Sequence, residues 1–176
     1  GDEPESRLRL EERVALVAKD ILGHFDRRTE ILEGKAMVIA MSRRIAVDLY
    51  QQIVALRPEW HGETDENGDI KVVMTGAASD PPAFQPHIRN KPRLKAVEKR
   101  FKDPDDPLKI VIVRDMWLTG FDVECLSTLY IDKPMKAHTL MQAIARANRV
   151  YPGKDFGLIV DYNGMLKSLR EALAQY

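Results

Sequence analysis

Ala36-Met37-Val38-Ile39-Ala40-Met41 runs straight into Ser42-Arg43-Arg44, after which Ile45, Leu49, Ile53 and Leu56 recur at i, i+4, i+8 and i+11. Six unbroken apolar residues suit a strand buried on both faces and are too few for an ordinary helix. The 3.6-residue period that follows predicts a helix, and Ser42 at its threshold is a good N-cap. A fully buried strand feeding an amphipathic helix is the repeating unit of a parallel sheet covered on both faces.

The unit recurs along the chain. Residues 70–75, 109–113, 128–131 and 157–160 are further short runs rich in Val, Ile, Met or Leu. Helical spacing appears between most of them: Leu94, Val97 and Phe101; Leu140, Ile144 and Ala147; Leu166 and Leu169. An opening helix carries Leu10, Val14, Val17, Ile21 and Phe25. The expected class is α/β, with a mostly parallel sheet between helical layers. In such sheets ligands sit outside the carboxyl ends of the strands. Residues 57–68 and 76–92 read as surface loops rather than domain linkers.

The 176 residues suit one domain or slightly more, and 44% hydrophobic against 31% charged residues excludes wholesale disorder. One cysteine, Cys125, excludes a disulfide scaffold within the chain. No apolar run approaches the roughly 18–20 residues that span a bilayer, and no signal peptide is expected at the start. The 27 basic and 27 acidic residues cancel, but they are segregated. Residues 58–86 hold six acids against Lys71, and residues 87–102 hold seven bases against Glu98. Such blocks give a neutral chain a basic face, or are simply solvated surface. The basic run 89–102 fits either a nucleic-acid channel or a solvated helix face.

Three strand ends carry unusual residues. Arg43 and Arg44 stand beside a helix N-terminus, where free backbone N–H groups favour a phosphate; an exposed arginine pair is the plainer alternative. The third strand leads into Arg114-Asp115-Met116-Trp117-Leu118-Thr119-Gly120-Phe121-Asp122. Gly120 permits a tight turn or a close approach to a ligand. Asp122 suits either ribose hydroxyls or an N-cap ahead of Val123. On a helix over 137–148, Gln142, Arg146 and Arg149 fall within an arc of about 60°, opposite Leu140, Ile144 and Ala147. No acid lies between Lys136 and Lys154. A glutamine and two arginines on one stripe suit phosphate oxygens. The four histidines have no metal-ligand spacing, Cys125 reads as a buried thiol and Trp117 as a packing anchor.

Together these stretches resemble the second motor domain of superfamily 2 helicases and translocases. Residues 36–44 resemble motif IV, residues 114–122 motif V, and Gln142-Ala-Ile-Ala-Arg146-Ala-Asn-Arg149 the Q-x-x-x-R-x-x-R of motif VI. Met74-Thr75-Gly76-Ala77-Ala78-Ser79-Asp80, Asp132-Lys133-Pro134-Met135-Lys136 and residues 140–150 narrow the resemblance to the motor (R) subunit of type I restriction enzymes. It covers residues 35–165, which sets 1–34 apart as a helical lead-in and 35–176 as the RecA-like domain.

The resemblance implies a three-layer RecA-like fold of the P-loop NTPase type, with a partner lobe. Neither a G-x-x-x-x-G-K-[ST] phosphate loop nor a nuclease constellation occurs in the sequence. The partner lobe is therefore expected to bring the ATP phosphate loop and the Mg²⁺ ligands. With Gly1 in place of a methionine, the chain reads as a piece of a larger cytoplasmic subunit from a bacterium or archaeon. The same resemblance implies that Arg149 and Arg146 reach the γ-phosphate of ATP as catalytic residues, that Gln142 helps couple nucleotide to DNA, and that Gly120 and Asp122 hold the ribose side. It also implies that Ser42, Arg43, Thr75, Gly76 and Thr119 grip phosphates of double-stranded DNA. Upstream nuclease and RecA-like domains, and modification and specificity subunits, are the implied partners. Another superfamily 2 helicase lobe, or a motor-like DNA-docking module without ATPase, is the alternative; a dinucleotide fold lacks its G-x-G-x-x-G here.

Overall fold

The computed structural model describes residues 4–115, 117, 123–147 and 158–162. Within them five strands form one sheet in the order β2-β3-β1-β4-β5. They are β1 (Lys35–Ala40), β2 (Ile70–Val73), β3 (Ile110–Val113), β4 (Leu126–Asp132) and β5 (Leu158–Asp161). Every pairing is parallel. All five lie at the runs expected from sequence, and β4 is longer at both ends. Four helices accompany them: α1 (Pro4–Ile31), α2 (Arg43–Leu56), α3 (Lys91–Lys102) and α4 (Ala137–Ala147). The expected last helix, around Leu166 and Leu169, lies outside the described residues.

Strand alternation divides the interior into two cores. Ala36, Val38, Ala40, Ile70, Val72, Ile110, Ile112 and Tyr130 turn to one face, where α1 and α2 cover them. Met37, Ile39, Val73, Val111, Val113, Leu129 and Ile131 turn to the other, against Val97 and Phe101 of α3 and Leu140 and Ala143 of α4. Continuous apolar runs are what a strand with no solvent face requires. The three layers are therefore a direct consequence of those runs.

The opening helix belongs to the first core. Val14, Val17, Ala18, Ile21, Leu22 and Phe25 are buried there, whereas Leu10 is 42% exposed. Polar ties add to the packing. His24 Nδ1 lies 2.7 Å from the Tyr130 hydroxyl, and Tyr162 donates to Asp20 at 2.5 Å.

The two breaks are more ordered than surface loops need be. Pro58–Trp60 and Gln85–His87 form short 3-10 turns, and Trp60, Phe84, His87 and Arg89 are buried. Beyond β2, Met74 forms an isolated parallel bridge with Ile88. Gly68 closes the first break at φ +93°, with Gly62 against it. A Cβ there would be strained.

Candidate nucleotide and nucleic-acid interface

Register brings the strand ends level. Ile39, Val113 and Val73 share one row, and Ala40 stands beside Asp132 in the next. The residues that leave β1, β2, β3 and β4 therefore emerge on one rim. That rim is where an open parallel sheet presents ligand-binding groups.

At the end of β1, Ser42 caps α2 as expected: its Oγ accepts the Ile45 N–H at 3.1 Å. A serine used this way keeps its own O–H as a donor. Arg43 reaches from α2 to the segment after β2. Its Nη1 donates to Asp80 Oδ2 at 3.0 Å and to the Thr75 carbonyl at 3.1 Å, and its Nη2 donates to Asp80 Oδ1 at 2.8 Å. The Phe84 ring lies 5.3 Å from the Arg43 guanidinium carbon and 5.2 Å from that of Arg44. Both distances suit cation–π attraction.

Asp80 is itself held in a tight turn. It accepts the Ala77 N–H at 2.8 Å, while Gln85 Nε2 donates to the carbonyls of Ala77 and Asp80 at 3.1 and 2.9 Å. The hydrogen bonds from Arg43, and next the Ala77 N–H, hold the Asp80 carboxyl below its ordinary range, and the same pairing raises Arg43. Gly76 lies directly beneath the pair. A Cβ built on it would sit 2.9 Å from Arg43 Nη1 and 2.7 Å from Ile88 Cδ1, and would overlap the Asp80 carboxylate. A side chain at this position would have to push aside the ends of the Arg43, Asp80 and Ile88 side chains.

The ends of β3 and β4 are tied together. Lys133 donates to the Arg114 carbonyl at 3.1 Å and pairs with the Asp115 carboxylate, which Arg114 Nε also reaches at 3.0 Å. Trp117 stacks on Phe101 with centroids 6.3 Å apart and 18° between the planes. It is the packing residue expected, held with φ at +66°. That left-handed conformation costs of order 1–3 kcal/mol for a bulky residue. Asp132 is fully buried and accepts two hydrogen bonds from Arg13 of α1.

On α4, Leu140 and Ala143 are buried and Gln142 is half-buried, its Nε2 3.2 Å from His138 Nε2. The helix places Arg146 one turn beyond Gln142; its side chain, with Thr119, Gly120, Asp122 and Arg149, lies outside the described residues. Of the candidates, Ser42, Arg43, Thr75 and Gly76 are brought together on one rim. Sequence reasoning gave no role there to Asp80, Phe84 or Gln85.

The basic run has a purpose neither expectation covered. Arg89, its side chain 2% exposed, bonds Asp65 at 2.9 Å and the carbonyls of Val72 and His87 at 2.5 and 3.1 Å. Arg93 also bonds Asp65, at 2.8 Å. Arg100 reaches Asp106 and the carbonyls of Asp65 and Gly68, at 2.8 and 3.0 Å for the latter two. These three arginines fasten the loop before β2 to α3. Lys91, Lys95 and Lys99 remain on the exposed face.

Residues 86–164 match the family described as type I restriction enzyme subunit R domain 3. Over 99% of its length the chain is 55% identical to the type I restriction enzyme HindI endonuclease subunit of Haemophilus influenzae. The chain belongs to the R-subunit family of type I restriction enzymes. It spans 18% of the length of that Haemophilus R subunit. A solved fragment assigned to the HsdR subunit of a type I restriction enzyme from Vibrio vulnificus YJ016 superposes with a TM-score of 0.66 at 17% identity, over 96% of this chain and 30% of that one. The C-terminal domain of the DEAD-box protein Dbp5 gives 0.55 at 17% identity, over 86% and 79%. The fold of this R-subunit segment is thus that of a RecA-like helicase C-terminal lobe.

Proposed function

We propose that this segment is the second lobe of the ATP-dependent DNA translocase of a type I restriction R subunit. The observation that supports the reading most directly is the shared rim. On it the ends of β1 and β2 bring Ser42, Arg43, Thr75 and Gly76 together, in a chain whose relatives are endonuclease subunits. Ser42, Arg43, Thr75, Gly76 and Thr119 contact phosphates of double-stranded DNA. Such contacts give affinity without reading sequence, which a tracking motor needs.

ATP is the substrate shared with a partner lobe, and that lobe supplies the phosphate loop and the Mg²⁺ ligands. From this chain, Arg149 and Arg146 stabilise charge developing on the transferred phosphoryl group, a contribution worth about 10³–10⁵ in rate in related phosphoryl-transfer systems. Gln142, on α4, couples nucleotide to DNA. Gly120 and Asp122 hold the ribose side. Modification and specificity subunits complete the complex, and the specificity subunit reads the DNA site.

Arg149→Ala in an intact R subunit tests the assignment. ATP-driven translocation should disappear with DNA binding largely retained; ATP turnover near the unmodified rate would remove Arg149 from the reaction. This segment purified alone should have no ATPase activity.

A further inference from the structure

The guanidinium assigned above to DNA phosphate already holds an anion. Asp80 takes the end-on fork of Arg43 through two hydrogen bonds, and the Thr75 carbonyl takes another N–H of Nη1. Carboxylate and phosphate present oxygens to a guanidinium in the same forked manner. The carboxylate does not wander in by chance. It is aimed by the Ala77 N–H, by Gln85 bracing the turn, and by Gly76, whose missing side chain lets the pair lie flat against the backbone. Arg43 is in turn seated over Phe84. Both partners are partly exposed, at 31% and 18%, so solvent and a ligand can reach the pair.

We propose that Asp80 is a built-in competitor for Arg43, so that the rim engages a nucleic-acid phosphate only by exchanging one anion for another. The inference rests on Arg43 being a DNA contact. An exchange of this kind lowers the grip of a single contact and makes its release easier. A protein that steps along a backbone benefits from both. It also changes the salt response. When phosphate displaces Asp80, the freed carboxylate must be solvated and gathers its own counterion. The net ion release from this contact is then smaller than for an unpaired arginine.

The test is Asp80→Asn in an intact R subunit carrying this segment, with a fluorescein-labelled duplex of arbitrary sequence followed by anisotropy across a salt series. Asparagine keeps an oxygen for the Ala77 N–H and removes the charge. Affinity at moderate salt should rise about two- to fivefold, the range an exposed ion pair can supply. The slope of log affinity against log salt should steepen by up to about 0.9, one contact's worth. In the Arg43→Ala background the same change should do nothing, because Asp80 acts through Arg43.

Weaker binding by Asp80→Asn would show that the carboxylate positions Arg43 rather than competing for it, and would overturn the proposal; so would unchanged binding with an unchanged slope. If Arg43→Ala alone leaves affinity intact, the DNA-contact reading of Arg43 fails instead. Thermal unfolding of each variant separates these outcomes from loss of the turn.

Discussion

Arg13, on the first helix, grips Asp132, at the carboxyl end of β4, with hydrogen bonds of 3.0 and 2.5 Å across 119 residues of chain. Asp132 is fully buried while the Arg13 side chain is 34% exposed. The pair therefore fixes a charged carboxylate inside the rim by means of an arginine reaching in from the surface. Removing the arginine withdraws two charge-assisted hydrogen bonds from that buried carboxylate, and bonds of this kind are worth about 1.5–3 kcal/mol. Arg13→Ala should destabilise the fold by an amount in about that range. Urea unfolding measures this, and a shift below about 0.5 kcal/mol would mean that Asp132 is satisfied without Arg13.

Gly76→Ala addresses the space beneath Arg43 and Asp80. The added methyl has no room unless the ion pair lifts or Ile88 moves, since it would lie 2.7 Å from Ile88 Cδ1. Overpacking of this kind typically costs about 1–3 kcal/mol, and the exposed position puts the expectation at the low end. Urea unfolding should show the loss of stability. DNA affinity should fall as well, because Arg43 is displaced from its seat over Phe84. A variant with unaltered stability and DNA binding would show that the loop is looser than its hydrogen bonds imply.

Acid should lower the stability of the domain over two pH windows. Burial, reinforced by the nearby charges of Arg89 and Lys71, pushes the His87 imidazole down to about 4. An unfolded histidine titrates near 6.5, so between those values the unfolded chain binds the extra proton. Stability therefore falls as pH drops through that window. Asp65 follows. Burial opposes its ionisation, but hydrogen bonds from Arg93 and Arg89 outweigh it and hold the carboxyl at about 2. Its contribution is full above about 4 and is lost between about 4 and 2. Urea midpoints measured across this range should decline in both windows. His87→Gln should flatten the upper one and Asp65→Asn the lower. If neither variant changes the profile, these groups do not govern acid unfolding.

The elements were legible because they are local. Each strand announces itself by an apolar run that only burial on both faces explains, and Ser42 marks the start of α2 by the cap bond it makes. The position of Arg43 at a strand-to-helix junction was legible for the same reason. Its partner was not. Asp80 stands 37 residues away, in a stretch that reads as part of an acidic block, and only the placing of β2 two strands from β1 brings it across. The basic run was legible only in part, for a related reason. A charge count cannot distinguish Lys95, which faces solvent, from Arg89, which is buried against Asp65 and two carbonyls. Pairings between distant segments are set by topology, and topology follows from all the strands together.

Lys133 offers a test of communication along the rim. Its ammonium joins the Arg114 carbonyl and Asp115, at the end of β3, to the segment that leads from β4 into α4. On the motor reading the first of these segments continues toward the DNA-facing Thr119 and the ribose-holding Gly120 and Asp122, and the second toward Gln142, Arg146 and Arg149, so the bridge joins a segment that meets both DNA and ATP to the one that carries the phosphate-facing arginines. Asp115 is 59% exposed, and a pair of that kind contributes at most about 1 kcal/mol to stability. Lys133→Met should accordingly leave the fold and DNA binding nearly unchanged. In an intact R subunit it should reduce the stimulation of ATP turnover by DNA several-fold while sparing turnover without DNA. Equal loss of both rates would make Lys133 a general support of the site, and undiminished stimulation would remove the bridge from the coupling altogether.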